Sequence, residues 1–261
     1  MPSNSIAFDR AADYYDETRG FPAGEEQSVA EVISRAGGFT STSRVLEIGV
    51  GTGRIALPLA AHVGKLFGVD LSRPMMARLR AKQTNEPLCL VQADATPIPF
   101  ASHVFDAAVA VHVFHLIPNW QDVIDELARV LRPGGVVVHG WGKSDSVFET
   151  LWDAWRAVIP SNQAEDVGVR WEKNPTILAE QGWKPVGEEH IHSYPYTQTP
   201  ARFVEGLRNR IWSQTWRLTD EELAKGIAAV QEVMERDFPN AAEPRQATAN
   251  FHVRAYRPPS A

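Results

Sequence analysis

The chain has 261 residues, 44% of them hydrophobic and 22% charged, an ordinary balance for a globular enzyme built as one large α/β domain or as one domain with an insertion. Its formal net charge of −6, with no dense Lys/Arg run, weighs against a duplex nucleic-acid partner. The single cysteine, Cys89, excludes an internal disulfide and suits a reducing cytoplasm, and no run of about 18 apolar residues marks a membrane span.

The first 40 residues read as one or two helices; they carry acids and no apolar secretory core. From Arg44 the pattern alternates. "RVLEIGV" is a buried strand, "GRIALPLAAHV" a helix blemished by Pro58, and "KLFGVDLS" a second strand. "RPMMARLRAKQ" is a helix with proline near its start, where proline is tolerated. "LCLVQAD" and "FDAAVAVHVF" follow as strands, then the helix "NWQDVIDELARVL" stopped by "RPGG", then the strand "GVVVHGW". This order implies a parallel sheet with helices on both faces.

After Trp141 the rhythm changes. Helices are expected in "VFETLWDAWRAVI" and "PTILAEQGW", and strands in "PVGEEHIHSYPY" and "ATANFHVRAYRP". Residues 197–245 read as a helical insertion between those last two strands; within it Thr219 and Glu222 have capping-box spacing. The expected layout is a single domain over 1–261: an N-terminal helical segment (1–40), a ligand-binding core (41–142) and a substrate half (143–261).

The chemistry concentrates at three strand ends. Gly49, Gly51 and Gly53 form E-x-G-x-G-x-G behind Glu47, while a dinucleotide loop would place its third glycine at position 54, where Arg54 stands. Such a turn brings bare backbone and a helix N-terminus to a ligand. Asp70 ends the second strand, 19 residues after Gly51, where a carboxylate can accept from both hydroxyls of a ribose. Asp94 ends the third strand, where it can accept from an adenine amine while the Ala95 amide donates to a ring nitrogen.

The set "VLEIGVGTGRIALPLA", "GVDLS", "QADATPIPF", "FDAAVAVHVFHLIPNW" and "ELARVLRPGG" resembles the class I S-adenosylmethionine-dependent methyltransferases, and more narrowly the small-molecule ubiquinone/menaquinone-biosynthesis-like group. The similarity covers about Phe8 to Val138; the tail matches in layout only. It implies a Rossmann-like doubly wound, mostly parallel seven-stranded sheet with an antiparallel last strand. It implies S-adenosylmethionine as cofactor, with S-adenosylhomocysteine as product. The glycines would wrap its methionine part, with Glu47 ordering the site. Asp70 and Leu71 would take the ribose, Met75 would pack near the adenine, and Asp94 and Ala95 would bind that base. The backbone of His112 would face the methionine portion. Tyr15 and Arg19, in "YYDETRG", match the family segment that reaches the amino-acid end of the cofactor.

Methyl transfer by in-line displacement needs alignment above all, and a base only where the acceptor is protonated. His115, just past the fourth strand, is the candidate base. Trp141, Arg208, Arg210, Trp212 and Trp216 are candidate acceptor-side residues, the last four as a lid. No metal site is expected, since His112 and His115 lack a third ligand nearby. The expected partner is a small-molecule acceptor rather than nucleic acid. A silent S-adenosylmethionine-binding regulator and a tRNA or protein methyltransferase are the alternatives. A nicotinamide oxidoreductase is disfavoured by the shifted third glycine.

Overall fold

The computed structural model describes residues 5–144, 148–159 and 167–259. These form a seven-stranded sheet in the order β3-β2-β1-β4-β5-β7-β6. β1 (Arg44–Ile48), β2 (Lys65–Asp70), β3 (Leu88–Gln92), β4 (Phe105–Val111) and β5 (Leu131–Ser144) pair in parallel. β7 (Arg245–Arg257) lies between β5 and β6 (Lys184–Gln198) as the antiparallel strand. The expected Rossmann-like, mostly parallel sheet is therefore present.

The elements follow from the apolar pattern. Four of the five β1 residues are buried, as a strand covered on both faces requires. α5 (Trp120–Val130) buries Val123, Ile124, Leu127 and Val130, a stripe at helical spacing. Phe67, Phe100 and Phe105 meet edge to face at 5.1–5.6 Å on one side of the sheet. α4 (Arg73–Lys82) is capped by Ser72, whose hydroxyl accepts from the Met75 amide, with proline in its first turn.

Two local expectations shift. The helix after the glycine loop is only α3 (Ala56–Leu59), continued by a 3-10 turn at Ala60–His62. Pro58 lacks the N–H that a longer α-helix would use there. The segment 131–135 does not separate α5 from β5; the strand starts at Leu131 directly after the helix. The N-terminal segment holds α1 (Tyr15–Arg19) and α2 (Glu25–Gly37).

The chain divides into two compact units. Among the described residues, the first comprises 5–142, 167–192 and 251–259; the second comprises 143–144, 148–159 and 193–250. The first contains the sheet core, from Leu46 and Ile48 through Phe105, Phe114 and Leu127 to Tyr256, as well as α7 (Ile177–Glu180). The second is built from α6 (Glu149–Val158), α8 (Pro200–Arg208) and α9 (Asp220–Asp237) around Phe148, Trp155, Phe203, Leu207 and Val230. The capping box at Thr219 and Glu222 is formed. No helix among the described residues is long and apolar enough to cross a membrane.

Candidate active site

The three glycines differ in what demands them. All have positive φ (69°, 53° and 83°). A Cβ at Gly49 would stand 2.8 Å from Val113 Cγ2, and one at Gly53 2.6 Å from Leu79 Cγ, so both are also required by packing. At Gly51 the nearest outside atom is Met75 Cε at 3.4 Å, an ordinary contact. Gly51 is thus required by its conformation rather than by packing. Met75, expected near a base, is buried against this turn.

Asp70 organises the loop. Its Oδ2 accepts from the Gly51 amide at 2.7 Å and its Oδ1 from the Ser72 amide at 2.7 Å. Burial pushes its carboxyl above the ordinary range, and those two amides pull it back. A carboxylate offers about four lone-pair sites, so acceptor capacity remains for hydroxyls. Gln92 donates to the Leu71 carbonyl at 3.2 Å. Asp94 Oδ1 accepts from the amide and the hydroxyl of Thr96, both at 3.0 Å, and Ala95 beside it is buried.

Glu47, at the end of β1, is buried, and its Oε2 has no hydrogen-bond partner. Burial raises its carboxyl well above the ordinary range; Arg54 opposes that rise and Asp70 adds to it. Arg54, where the dinucleotide pattern breaks, donates to the Arg19 carbonyl at 2.8 Å and lies over the Phe21 ring. Burial, and to a smaller degree Arg54, depress the Arg19 guanidinium. Two cations and one buried acid with an orphaned oxygen therefore share this corner. An amino acid's carboxylate and ammonium would answer them in turn.

The segment carrying Tyr15 and Arg19 is pinned across the loop. Thr52 donates to Asp16 at 2.5 Å, Lys82 pairs with the other oxygen of Asp16 at 2.7 Å, and Ser72 donates to Asp9 at 2.6 Å. Arg78 pairs with Asp13. Tyr15 packs edge-on to Phe8. The neighbouring Tyr14 hydroxyl is buried without a partner.

A ring cluster closes the ends of β4 and β5. His112 has φ +52°, an uncommon conformation outside glycine, and its amide donates to the Gly140 carbonyl. Burial, then Arg54, keep its imidazole well below the ordinary range. Burial lowers His115 to about 4 and His139 to about 3, so both are neutral at neutral pH. The Nδ1 atoms of His115 and His139 are buried and unpartnered. Trp171 stacks flat on His112 (5.3 Å, 4°) and meets His115 edge-on (5.2 Å). Trp141 is buried, stacked on His252 and tilted against His139.

In the second unit the four candidate lid residues have local tasks. Arg210 donates to the Thr215 and Leu218 carbonyls and pairs with Asp220. Trp216 Nε1 donates to the Arg210 carbonyl, and Trp212 packs with Trp152 and Phe203. Arg208 is exposed.

Residues 46–139 match the methyltransferase domain family. Over this segment the chain is similar to the class I S-adenosylmethionine-dependent methyltransferases. It is 40% identical over 116 residues to a phosphatidylethanolamine N-methyltransferase of Cereibacter sphaeroides, covering 43% of this chain and 54% of that protein. It is 34% identical to a malonyl-[acyl-carrier protein] O-methyltransferase of Enterobacter lignolyticus, over 59% of each. The chain thus spans little more than half the length of these relatives. A Haemonchus contortus phosphoethanolamine N-methyltransferase, solved with phosphomonomethylethanolamine and S-adenosylhomocysteine, shares the fold: TM-score 0.53, 20% identity, 96% of this chain and 58% of that one.

The glycine loop follows β1, Asp70 ends β2 and Asp94 stands just past β3. Arg54, Tyr14, His139 and Trp171 were not singled out by sequence as site residues. Arg54 left a signal as the residue that breaks the dinucleotide spacing, and Trp171 as one of the large aromatics of the tail.

Proposed function

We propose that the protein transfers a methyl group from S-adenosylmethionine to a small-molecule acceptor. The observation that carries this reading is the pairing of the left-handed Gly51 turn with Asp70, whose carboxylate holds that turn and keeps lone pairs to spare. The residues fit the cofactor. Gly49, Gly51 and Gly53 would carry its methionine part and Glu47 its ammonium. Arg19, with Tyr15, would hold its carboxylate, with Arg54 beside them. Asp70 and Leu71 would take the ribose, Met75 would lie near the adenine, and Asp94 and Ala95 would take the base. Bound there, S-adenosylmethionine supplies a sulfonium-activated methyl group.

What the chain itself contributes is alignment and exclusion of water, effects worth several kcal/mol in barrier height. His115 is the proposed proton acceptor, at an imidazole nitrogen. Its neutrality at pH 7 leaves a lone pair available, though a value near 4 makes it a weak base that works only as the proton leaves in concert with transfer. Trp141 belongs on the acceptor side through the ring cluster. Arg210, Trp212 and Trp216 serve the turn after α8, and Arg208 is exposed. Cytoplasmic location belongs to the same reading and rests on the single, unpaired Cys89.

Calorimetric titration with S-adenosylhomocysteine tests the cofactor assignment. Asp70→Ala and Asp94→Ala should each weaken binding, about tenfold or more for Asp70, whose loss removes a charge-assisted hydrogen-bond acceptor and loosens the loop. Unchanged affinity in both variants would sink it.

A further inference from the structure

The chain ahead of α2 runs along the strand ends. At its start the Ile6 amide donates to the Leu116 carbonyl at 2.9 Å, one residue past His115. Asp9 then accepts from the hydroxyl of Ser72, two residues past Asp70. Asp16 accepts from the hydroxyl of Thr52, between Gly51 and Gly53. Further on, Arg54 donates to the Arg19 carbonyl at 2.8 Å and lies over the Phe21 ring, which meets Phe251 of β7 edge-on at 5.9 Å. Residues 6–21 therefore touch the turn past β4, the end of β2 and the loop after β1, the same edge at which the cofactor is proposed.

Polar contacts rather than burial hold this segment. Of residues 6–21 only Ala11 and Ala12 are buried. Its 3-10 turn (Asp9–Ala11) and α1 are three and five residues long, too short to persist undocked. Asp13 and Asp16 pair with Arg78 and Lys82, which lie one turn apart on α4, and all four side chains are 39–84% exposed. Pairs of this kind are weak singly and are screened by salt. Gly20 and Gly24, the latter at φ +91°, bracket the connection to α2, which by contrast buries Val29, Ala30 and Ile33.

We propose that residues 6–21 are a strap that lifts from the strand ends to exchange the cofactor, and that Arg78 and Lys82 form a latch whose pairing with Asp13 and Asp16 makes this exchange sensitive to ionic strength. This rests on the methyltransferase reading and adds to it how the site opens. The strap is the partner that moves. α4 is anchored by buried Met75, Met76 and Leu79, so displacing it would expose apolar surface. Lifting the strap instead returns Asp9, Asp13 and Asp16 to water, and little apolar surface goes with them. A strap fixed by apolar burial would hold alike at every salt concentration; one latched by exposed ion pairs loosens as salt rises. Arg78 and Lys82 have no part in the proposed cofactor contacts, so they act through the strap, as positioning residues.

The test uses the full chain and radiolabelled S-adenosylhomocysteine, whose release is timed after dilution into excess unlabelled ligand. Release should quicken several-fold between about 0.02 M and about 0.5 M salt. Arg78→Gln and Lys82→Gln together should quicken release at low salt by about three- to tenfold and remove most of its salt dependence. Association should quicken in the same variant, because a looser strap admits ligand as well as losing it. Arg78→Asp should also speed release, and Asp13→Arg added to it should restore the slow rate. Arg80→Gln, at another exposed cation of α4, should leave both rates unchanged. Without ligand, hydrogen exchange across residues 6–21 should rise with salt while β1 and β4 stay protected. Release indifferent to salt and to the Arg78 and Lys82 substitutions, or exchange in 6–21 as slow as in β1, would overturn the proposal. If S-adenosylhomocysteine binds and its release is indifferent in this way, this inference alone falls. If S-adenosylhomocysteine does not bind, the methyltransferase reading falls and takes the inference with it.

Discussion

Single residues of the glycine turn separate stability from binding. Gly53→Ala forces a Cβ against Leu79 at φ +83° and should cost about 1–3 kcal/mol in urea unfolding. Gly51→Ala meets only an ordinary contact, so its stability cost should be smaller, about 1 kcal/mol from the left-handed backbone alone. Its effect on S-adenosylhomocysteine affinity should be the larger of the two, because the turn held by Asp70 is where the ligand is expected. The buried histidines make a separate prediction about pH. His115 and His139 have folded values below their ordinary one, so the unfolded state binds protons first as pH falls. The stability they contribute is fully present above about pH 6.5 and is lost as pH drops through about 4 and then 3. For His115 this amounts to about 3 kcal/mol. His115→Asn should flatten the stability–pH curve between pH 6 and 4, measured by denaturant unfolding at each pH. A curve as steep as that of the unaltered chain would refute the assignment.

Elements carry the next level of the account. The N-terminal segment from Asp9 to Arg19 is bound to α4 and the glycine loop mainly by side chains, several of them exposed. Exposed ion pairs contribute little one by one, so the half-buried Thr52–Asp16 contact is the one to remove. Asp16→Ala should raise hydrogen exchange across residues 9–19 and weaken S-adenosylhomocysteine binding several-fold, with little change in the exchange of β1 and β4. Equal exchange in both chains would show that the segment is held some other way. The strands were legible in the sequence because their apolar runs and the glycine, Asp70 and Asp94 signals are local. The short α3 was not, because Pro58 counts as a blemish in a periodic pattern and as a terminator only in the folded helix. The place of Trp171 beside His112 was illegible for another reason: it lies 59 residues from His112 in the chain, and only the Gly168–His115 pairing brings it there.

At the scale of the whole molecule, the order β3-β2-β1-β4-β5-β7-β6 brings the first strand ends to one edge of a parallel sheet, where ligands of open α/β sheets bind. The expected helical insertion became the bulk of a second compact unit with its own core, built on Trp155, Phe203 and Val230. Its aromatic richness was visible in the sequence, but the tasks of its side chains were not: Arg210 and Trp216 spend their donors on a turn. The most direct test of the central claim follows the methyl group. The protein is incubated with methyl-labelled S-adenosylmethionine and a cell extract, and label is traced by mass spectrometry in separated small-molecule and macromolecular fractions. The account predicts label in a small molecule, lost with Asp70→Ala. Label confined to RNA or protein, or transfer unaffected by that substitution, would contradict it.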